Sequence, residues 1–434
     1  MMKILNSTSA DFQEELANLL AFETVTDAGL IATVDAIIAD VRARGDVAVL
    51  ELTQKFDRHP AQSIDELFIS QDALKAAFDG LSDEVAGALK LSAERIFAFH
   101  QHQVDDGFRF TDSLGNQLGQ KITPLDSVGI YVPGGLASYP SSVLMNAIPA
   151  KVAGVANITM VVPAPDGQLN PLVLAAAHLA GVDTVITIGG AQAVAALAYG
   201  TASIAKVDKI TGPGNKFVAA AKRAVFGQVG IDMIAGPSEV LVYAEGEMAD
   251  NAEWLAMDLL SQAEHDTVAQ AIFVTTSQVQ LQAVQTAIES ALARLPKADI
   301  SRAALANRGA LILVKDRREG MAVINQVAPE HLELSLDDPE AVLDDIRHAG
   351  AIFMGRHTPE AIGDYCAGSN HVLPTSGTAR FSSPLGVYDF QKKSSLIYCT
   401  KEGAVPLAKT ADILAIEENL EAHALSARYR HQAS

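Results

Sequence analysis

Val128-Gly129-Ile130-Tyr131-Val132-Pro133-Gly134-Gly135 is the stretch that decides the fold. Its first half is β-branched, apolar and aromatic, as a short buried strand requires, and Pro-Gly-Gly ends it in a turn. The same punctuation recurs downstream. Ile158–Val162 reads as a second strand stopped at Pro163, and Thr184–Ile188 as a third that runs into Gly189-Gly190. Val207–Ile210 is a fourth candidate, followed by Thr211-Gly212-Pro213-Gly214-Asn215. Helical periodicity fills the gaps at Leu144–Val155, Leu172–Ala180, Ala191–Tyr199 and Phe217–Phe226. Strand, glycine turn and helix in repetition predict βα units on a parallel sheet. Ligands in such sheets sit at the carboxyl ends of the strands, where these glycine turns fall.

Working outward, a second α/β unit follows, with strands at Val240–Tyr243, Ala271–Thr275, Leu311–Val314 and Ala351–Met354. Upstream, residues 9–22, Thr33–Arg44, Val47–Phe56 and 72–102 read as helices without site chemistry of their own. Gln391–Tyr398 reads as an edge strand, with Lys392 and Lys393 suited to exposed positions. Thr410–Arg428 reads as one helix. The fold class expected is α/β: two incomplete Rossmann-like parallel-sheet domains with small N- and C-terminal helical segments. Residues 1–24 form the N-terminal helical segment. Residues 25–125 join 236–380 in one α/β domain, into which the α/β domain 126–235 is inserted, and 381–434 form the C-terminal segment.

The chain has 434 residues, too many for one ordinary core. Hydrophobic residues make up 49% of it, and the mean hydropathy is +0.18, which supplies ample core and argues against disorder. The formal charge is -20, from 52 acidic against 32 basic residues, which argues against a nucleic-acid partner, since phosphate contacts need a basic surface. Cys366 and Cys399 make no disulfide framework and no Cys-x-x-Cys metal signature, which fits a reducing cytosol. No secretory leader pattern opens the sequence and no apolar run is long enough for a bilayer. The expectation is a cytoplasmic protein with no membrane partner.

Chemistry concentrates in three places. In Asp258-Leu259-Leu260-Ser261-Gln262-Ala263-Glu264-His265-Asp266, Gln262 and His265 stand three apart on one helix face, offering an amide oxygen and an imidazole. Such a pair near a helix end is commonly satisfied by solvent or local bonds, so further donors must come from afar. Glu330-His331, Asp364, His371 and His423 are candidates. Pro329-Glu330-His331-Leu332 is an acid–base candidate, because imidazole near its ordinary pKa takes a proton at neutral pH. Adjacent residues of a strand point opposite ways, so both serve one site only from a loop or a helix start. Ile362–His371, rich in Gly, Asn and His, reads as a ligand loop. His423 is placed near the end of the last helix, where the dipole favours an imidazolium. The glycine turns match no complete dinucleotide or P-loop fingerprint, yet backbone N–H groups at a helix start still receive an anion.

Nearly the whole chain resembles the histidinol dehydrogenase family. The resemblance rests on Val128–Gly135, Tyr139–Gly154, Thr211–Asn215, Ala235–Glu239, Leu259–His265, Pro329–Leu332 and Gly363–Pro374, in the family's order. It implies a zinc-containing, NAD-dependent four-electron oxidoreductase that takes L-histidinol through L-histidinal to L-histidine, the last steps of histidine biosynthesis. Gln262, His265, Asp364 and His423 match the zinc ligands, with one Zn2+ per subunit, and Glu330 and His331 match the acid–base pair. Tyr131, Gln192 and Asn215 fall where the family holds NAD. Ser238, His371 and Glu418 fall at substrate-contacting positions, joined there by His331 and the zinc ligands. The family is an intertwined homodimer, which implies that His423 and Glu418 act in the partner's site. The same fold acting on another amino alcohol or a sulfonated alcohol is the alternative.

Overall fold

Period-two alternation sets the two faces of each sheet. In the middle unit, Val128, Ile130, Ile158, Met160 and Val185 enter one buried cluster, and Tyr131, Val161, Ile186 and Ile210 enter the cluster on the opposite face. In the second unit, Val240, Val242, Ala271 and Phe273 face one way, and Leu241, Tyr243, Ile272 and Val274 the other. Helices cover both faces, as a parallel sheet requires. The computed structural model describes residues 2–21, 28–134, 139–234, 236–246 and 251–432. Gly135, Ala235 and the boundary expected between residues 24 and 25 lie outside the described residues.

The middle sheet has the strand order Phe68–Ile69, Thr184–Ile186, Asn157–Val161, Ser127–Tyr131, Lys209–Thr211, Gly230–Ile231. All are parallel except the edge strand Phe68–Ile69, which runs against Thr184–Ile186. From Ser127–Tyr131 the chain builds first to one side and then, at Lys209–Thr211, to the other. That reversal leaves a crevice at the carboxyl ends of these two strands. The second sheet has the order Lys3–Asn6, Ala310–Leu313, Gln270–Thr275, Glu239–Ala244, His331–Ser335, Ala351–Met354, and all of it is parallel. A third sheet joins Gln391–Tyr398, Gln117–Pro124 and Phe108–Thr111 antiparallel.

Two expectations about the grouping of segments are corrected. The helices of residues 28–101 bury their apolar faces on the middle sheet and not on the second, although Asp83–Gln101 also bonds the loop after Asp364. Helices Ala28–Arg44 and Asp46–Asp57 supply Val34, Ile37, Val41 and Val49 to one face of the middle sheet, and Gln71–Asp79 and Asp83–Gln101 supply Leu74 and Ile96 to the other. The N-terminal segment is not purely helical: Lys3–Asn6 is an edge strand of the second sheet, and helix Phe12–Leu20 packs beneath it. The physical reason is the same in both cases. An amphipathic element buries its apolar face against whichever sheet the chain's path brings near, and sequence proximity does not identify that sheet.

One buried ion pair ties down the glycine turn at Gly212. Lys222, on helix Lys216–Val225, is paired with the Asp232 carboxylate and donates to the Gly212 carbonyl at 3.0 Å. The Gly212 N–H donates to Asp232 Oδ2 at 2.8 Å. Gly212 has φ +107°, and a Cβ there would lie 2.1 Å from the Tyr131 carbonyl oxygen, so only glycine fits. Replacing Lys222 with Met should therefore destabilise the fold by ~3–5 kcal/mol, because it strands a buried carboxylate. Urea unfolding checks this, and a loss below about 1 kcal/mol would show the pair to be dispensable.

Candidate active site

At the crevice of the middle sheet, Tyr131 closes its strand and is buried, and its hydroxyl accepts the Gly190 N–H at 3.0 Å. Burial raises the phenol to about 12, so it stays neutral. Gln192 lies in the first turn of helix Gly190–Tyr199; both its amide atoms are buried with no hydrogen-bond partner among the described residues. Buried amides are rarely left so, which marks a place for a ligand. Asn215 is exposed and caps helix Lys216–Val225, its Oδ1 accepting from Phe217 N at 3.0 Å and Val218 N at 3.2 Å. The close approach of Gly212 to Tyr131 sets the Asn215 loop beside the Tyr131–Gly190 turn.

The acid–base candidates stand at the amino ends of the second sheet, not at its carboxyl ends. Strand Glu239–Ala244 runs away from them and helix Ala252–Ala263 runs back, so the C-terminal end of that helix returns to the level where Glu239 begins. Glu330 immediately precedes strand His331–Ser335 and His331 opens it. Both converge on the backbone of one residue: the Glu239 N–H donates to Glu330 Oε2 at 2.8 Å, and His331 Nδ1–H donates to the Glu239 carbonyl at 2.9 Å. This placement at a strand start, not in a loop or at a helix start, is how two adjacent side chains serve one site.

With Nδ1 committed as donor, His331 keeps its lone pair on Nε2. That nitrogen is buried without a hydrogen-bond partner among the described residues, 3.7 Å from Asp364 Oδ1. Burial pulls the His331 pKa down, but Glu360, Glu330 and Asp364 outweigh it and the net direction is upward. Burial raises Glu330 to about 8, against the opposing charge of His331. Asp364 sits among His331, His371 and His265; burial pushes its pKa up, and those imidazoles bring it below the ordinary carboxylate value.

Gln262 is buried in the last turn of its helix. Its amide is satisfied with the nitrogen toward Glu360, donating to Oε1 at 2.6 Å and Oε2 at 3.2 Å. The other terminal atom, the oxygen in this orientation, lies 3.4 Å from His265 Nδ1. His265 follows the helix end and is open to solvent, yet it is desolvated enough that its pKa lies below the usual value. A neutral imidazole nitrogen beside an amide oxygen, with Asp364 near, is a donor set that suits zinc. His331, Glu360 and Asp364 form a second group, with ligand atoms within 4.8 Å of one another.

Ser238 and His371 are half-buried; Ser238 leads directly into Glu239, and its carbonyl accepts the Gln270 N–H at 3.0 Å. His371 belongs to the Asp364 loop, and burial lowers its pKa. His423 and Glu418 are exposed and are not brought to this group. The expected helix is two, Lys401–Glu417 and Glu421–Gln432, which pack against each other. His423 therefore lies in the first turn of the last helix, where the dipole opposes an imidazolium, which corrects the placement expected near its end.

Three contributions escaped the sequence reading. Glu360 is buried inside the site; it stands four residues before Asp364 on helix Glu360–Tyr365, a spacing that shares a face and could have revealed it. Asp258, four before Gln262, hydrogen-bonds the buried Glu333 behind them, and burial raises Asp258 to about 6. Helix Asp83–Gln101, expected to be chemically silent, holds the Asp364 loop. Ser92 Oγ donates to the Tyr365 carbonyl at 2.5 Å, and Arg95 donates to the carbonyls of Cys366 at 2.5 Å and Ala367 at 3.0 Å.

Comparison with known proteins agrees over the full length. The family model described as histidinol dehydrogenase matches residues 22–431. The histidinol dehydrogenase of Psychrobacter arcticus is 73% identical over 431 residues, covering 99% of this chain and 100% of that one. That of Acinetobacter baylyi is 70% identical over 432 residues, covering 100% of both. The crystal structure of histidinol dehydrogenase from Elizabethkingia anophelis superposes with a TM-score of 0.93 at 36% identity, covering 100% of this chain and 98% of that one. The chain belongs to the histidinol dehydrogenase family and is an oxidoreductase.

Proposed function

We propose that this chain oxidises L-histidinol through L-histidinal to L-histidine at one site, reducing two NAD per substrate. The observation that carries the reading is the buried Nε2 of His331, aimed beside Asp364 with its tautomer set by the Glu239 carbonyl. Gln262, His265, Asp364 and His423 would hold zinc, and Tyr131, Gln192 and Asn215 would hold NAD. Zinc bound there would anchor the imidazole and amine nitrogens of the substrate, and NAD would accept the hydrides.

His331 takes the alcohol proton at Nε2 as the first hydride leaves. Glu330 takes a proton from the water that adds to the aldehyde carbon, and His331, its first proton passed to solvent, takes the hydroxyl proton of the resulting gem-diolate as the second hydride leaves. Across both steps one alcohol and one water become one carboxylate, with two hydrides and three protons released. Ser238, His371 and Glu418 orient the substrate. His423 and Glu418 act in the site of a partner copy. Their exposure supports this, as do the exposed Ile413, Leu414 and Tyr429 on the same helix pair and Leu420 in the turn between them.

The test is to supply limiting L-histidinol to the zinc-loaded protein and count NADH while identifying the product. Two NADH with L-histidine are expected. One NADH with free aldehyde would sink the coupled reaction, and no reduction would turn the search to another amino alcohol or a sulfonated alcohol.

Replacing His331 with Asn should lower kcat by ~10²–10⁴-fold with zinc content unchanged. Loss of zinc along with turnover would place His331 in the metal shell, as the His331–Glu360–Asp364 group permits.

Because Glu330 is raised to about 8 and acts as a carboxylate, aldehyde oxidation should climb with pH through that value and then level off. Glu330→Gln should erase this limb and slow aldehyde oxidation more than alcohol oxidation. Equal losses in both half-reactions would remove its dedicated role.

His423→Asn and His265→Asn should each be inactive and zinc-poor alone. Mixed and exchanged, they should regain activity through heterodimers that carry one intact site. Verified exchange without recovery would count against the shared site.

A further inference from the structure

Gln262 raises a problem that its neighbours solve. A primary amide has two nearly isosteric ends, and only the oxygen can ligate a cation. In a helix the side chain is free to turn either end toward His265, and nothing in the Gln262–His265 spacing decides which. Glu360 does decide. It is 2% exposed, and both its carboxylate oxygens lie within hydrogen-bond reach of one end of the amide, at 2.6 and 3.2 Å. An ionised carboxylate only accepts, and a protonated one has a single O–H for the two contacts, so the end that meets both oxygens is the nitrogen. The opposite end, facing His265 Nδ1 at 3.4 Å, is then the oxygen.

Glu360 is itself held in place. Its own N–H donates to Glu333 Oε1 at 2.6 Å, and it opens the short helix that carries Asp364 one turn later. The carboxylate thus links the helix bearing Gln262, just before His265, to the short helix it shares with Asp364. It also faces His331, with Oε1 3.8 Å from Nδ1, but that nitrogen is already spent on the Glu239 carbonyl.

We infer that Glu360 is a positioning residue that selects the orientation of the Gln262 amide, presenting its oxygen to the metal. The inference rests on the zinc set proposed above and adds to it a residue that is not a ligand. It also assigns Glu360 a place behind the metal shell, although its oxygens lie close enough to His331 and Asp364 for a ligand's.

The experiment measures zinc affinity by competition with a chromophoric chelator, on the full-length protein, for Glu360→Leu, Glu360→Gln, Gln262→Ala and the double variant Glu360→Leu/Gln262→Ala. Losing an outer-shell partner typically lowers metal affinity ~10–100-fold, and Glu360→Leu should fall in that range. Glu360→Gln keeps an acceptor oxygen for the Gln262 nitrogen and should retain most of the affinity. The double variant should bind no more weakly than Gln262→Ala, because an absent amide needs no orienting. Losses that add, or full affinity in Glu360→Leu beside a weakened Gln262→Ala, would overturn the inference. Unchanged affinity in Gln262→Ala would instead overturn the zinc set itself. If Glu360→Leu does not fold, Glu360→Asp replaces it in the same cycle, since withdrawing the carboxylate by one methylene must also cost affinity only while Gln262 is present.

Discussion

The backbone of Glu239 is the constraint on which the site depends. Its N–H holds the Glu330 carboxylate and its carbonyl holds His331 Nδ1, so one peptide position orients both members of the proposed acid–base pair. The carbonyl bond also sets the tautomer, and so decides which nitrogen keeps a lone pair. Glu239 can do this because it begins its strand. Its neighbour Val240 pairs in register with His331, and the partners beyond that point are side chains.

Around that anchor, charge is packed at low solvent access. Glu330, Glu333 and Glu360 are all buried within the same region, and burial raises the pKa of each. Buried carboxylates are costly unless protonated, paired or bonded. Here Glu330 takes an N–H, Glu360 takes an amide, and Glu333 takes the Glu360 N–H and a bond with Asp258. The His331 imidazole lies 3.7 Å from Glu330 and 3.8 Å from Glu360 and becomes their positive partner when Nε2 takes a proton. Raised carboxyl groups beside His331 suit the reaction proposed above, in which several protons are released.

Much of this was legible in the chain. The strand–glycine–helix rhythm from Val128 onward corresponds to the four inner strands of the six-stranded middle sheet, because local periodicity reports which faces are buried, whereas the two-residue edge strands are too short to show a period. Gln262 with His265, and Glu330 with His331, were visible because three-residue and one-residue spacings fix relative direction. What escaped depends on long separation. Ser92 and Tyr365 are 273 positions apart and meet through one hydrogen bond. Lys3–Asn6 joins a strand some three hundred residues away, too short a segment to announce itself by pattern. His423 was placed at the wrong end of its helix because the break after Glu417 carries no proline or glycine.

By itself the sequence determined the α/β class, the alternation of elements and the local pairs of donor side chains. Each of these follows from the period of a helix or strand and needs no partner. Only the tertiary structure decided the packing of helices 28–101 on the middle sheet, the tautomer of His331 and the orientation of the Gln262 amide. Those depend on single hydrogen bonds and buried faces contributed by residues far apart in the chain, and the choice between near-equal local states is made where those residues meet.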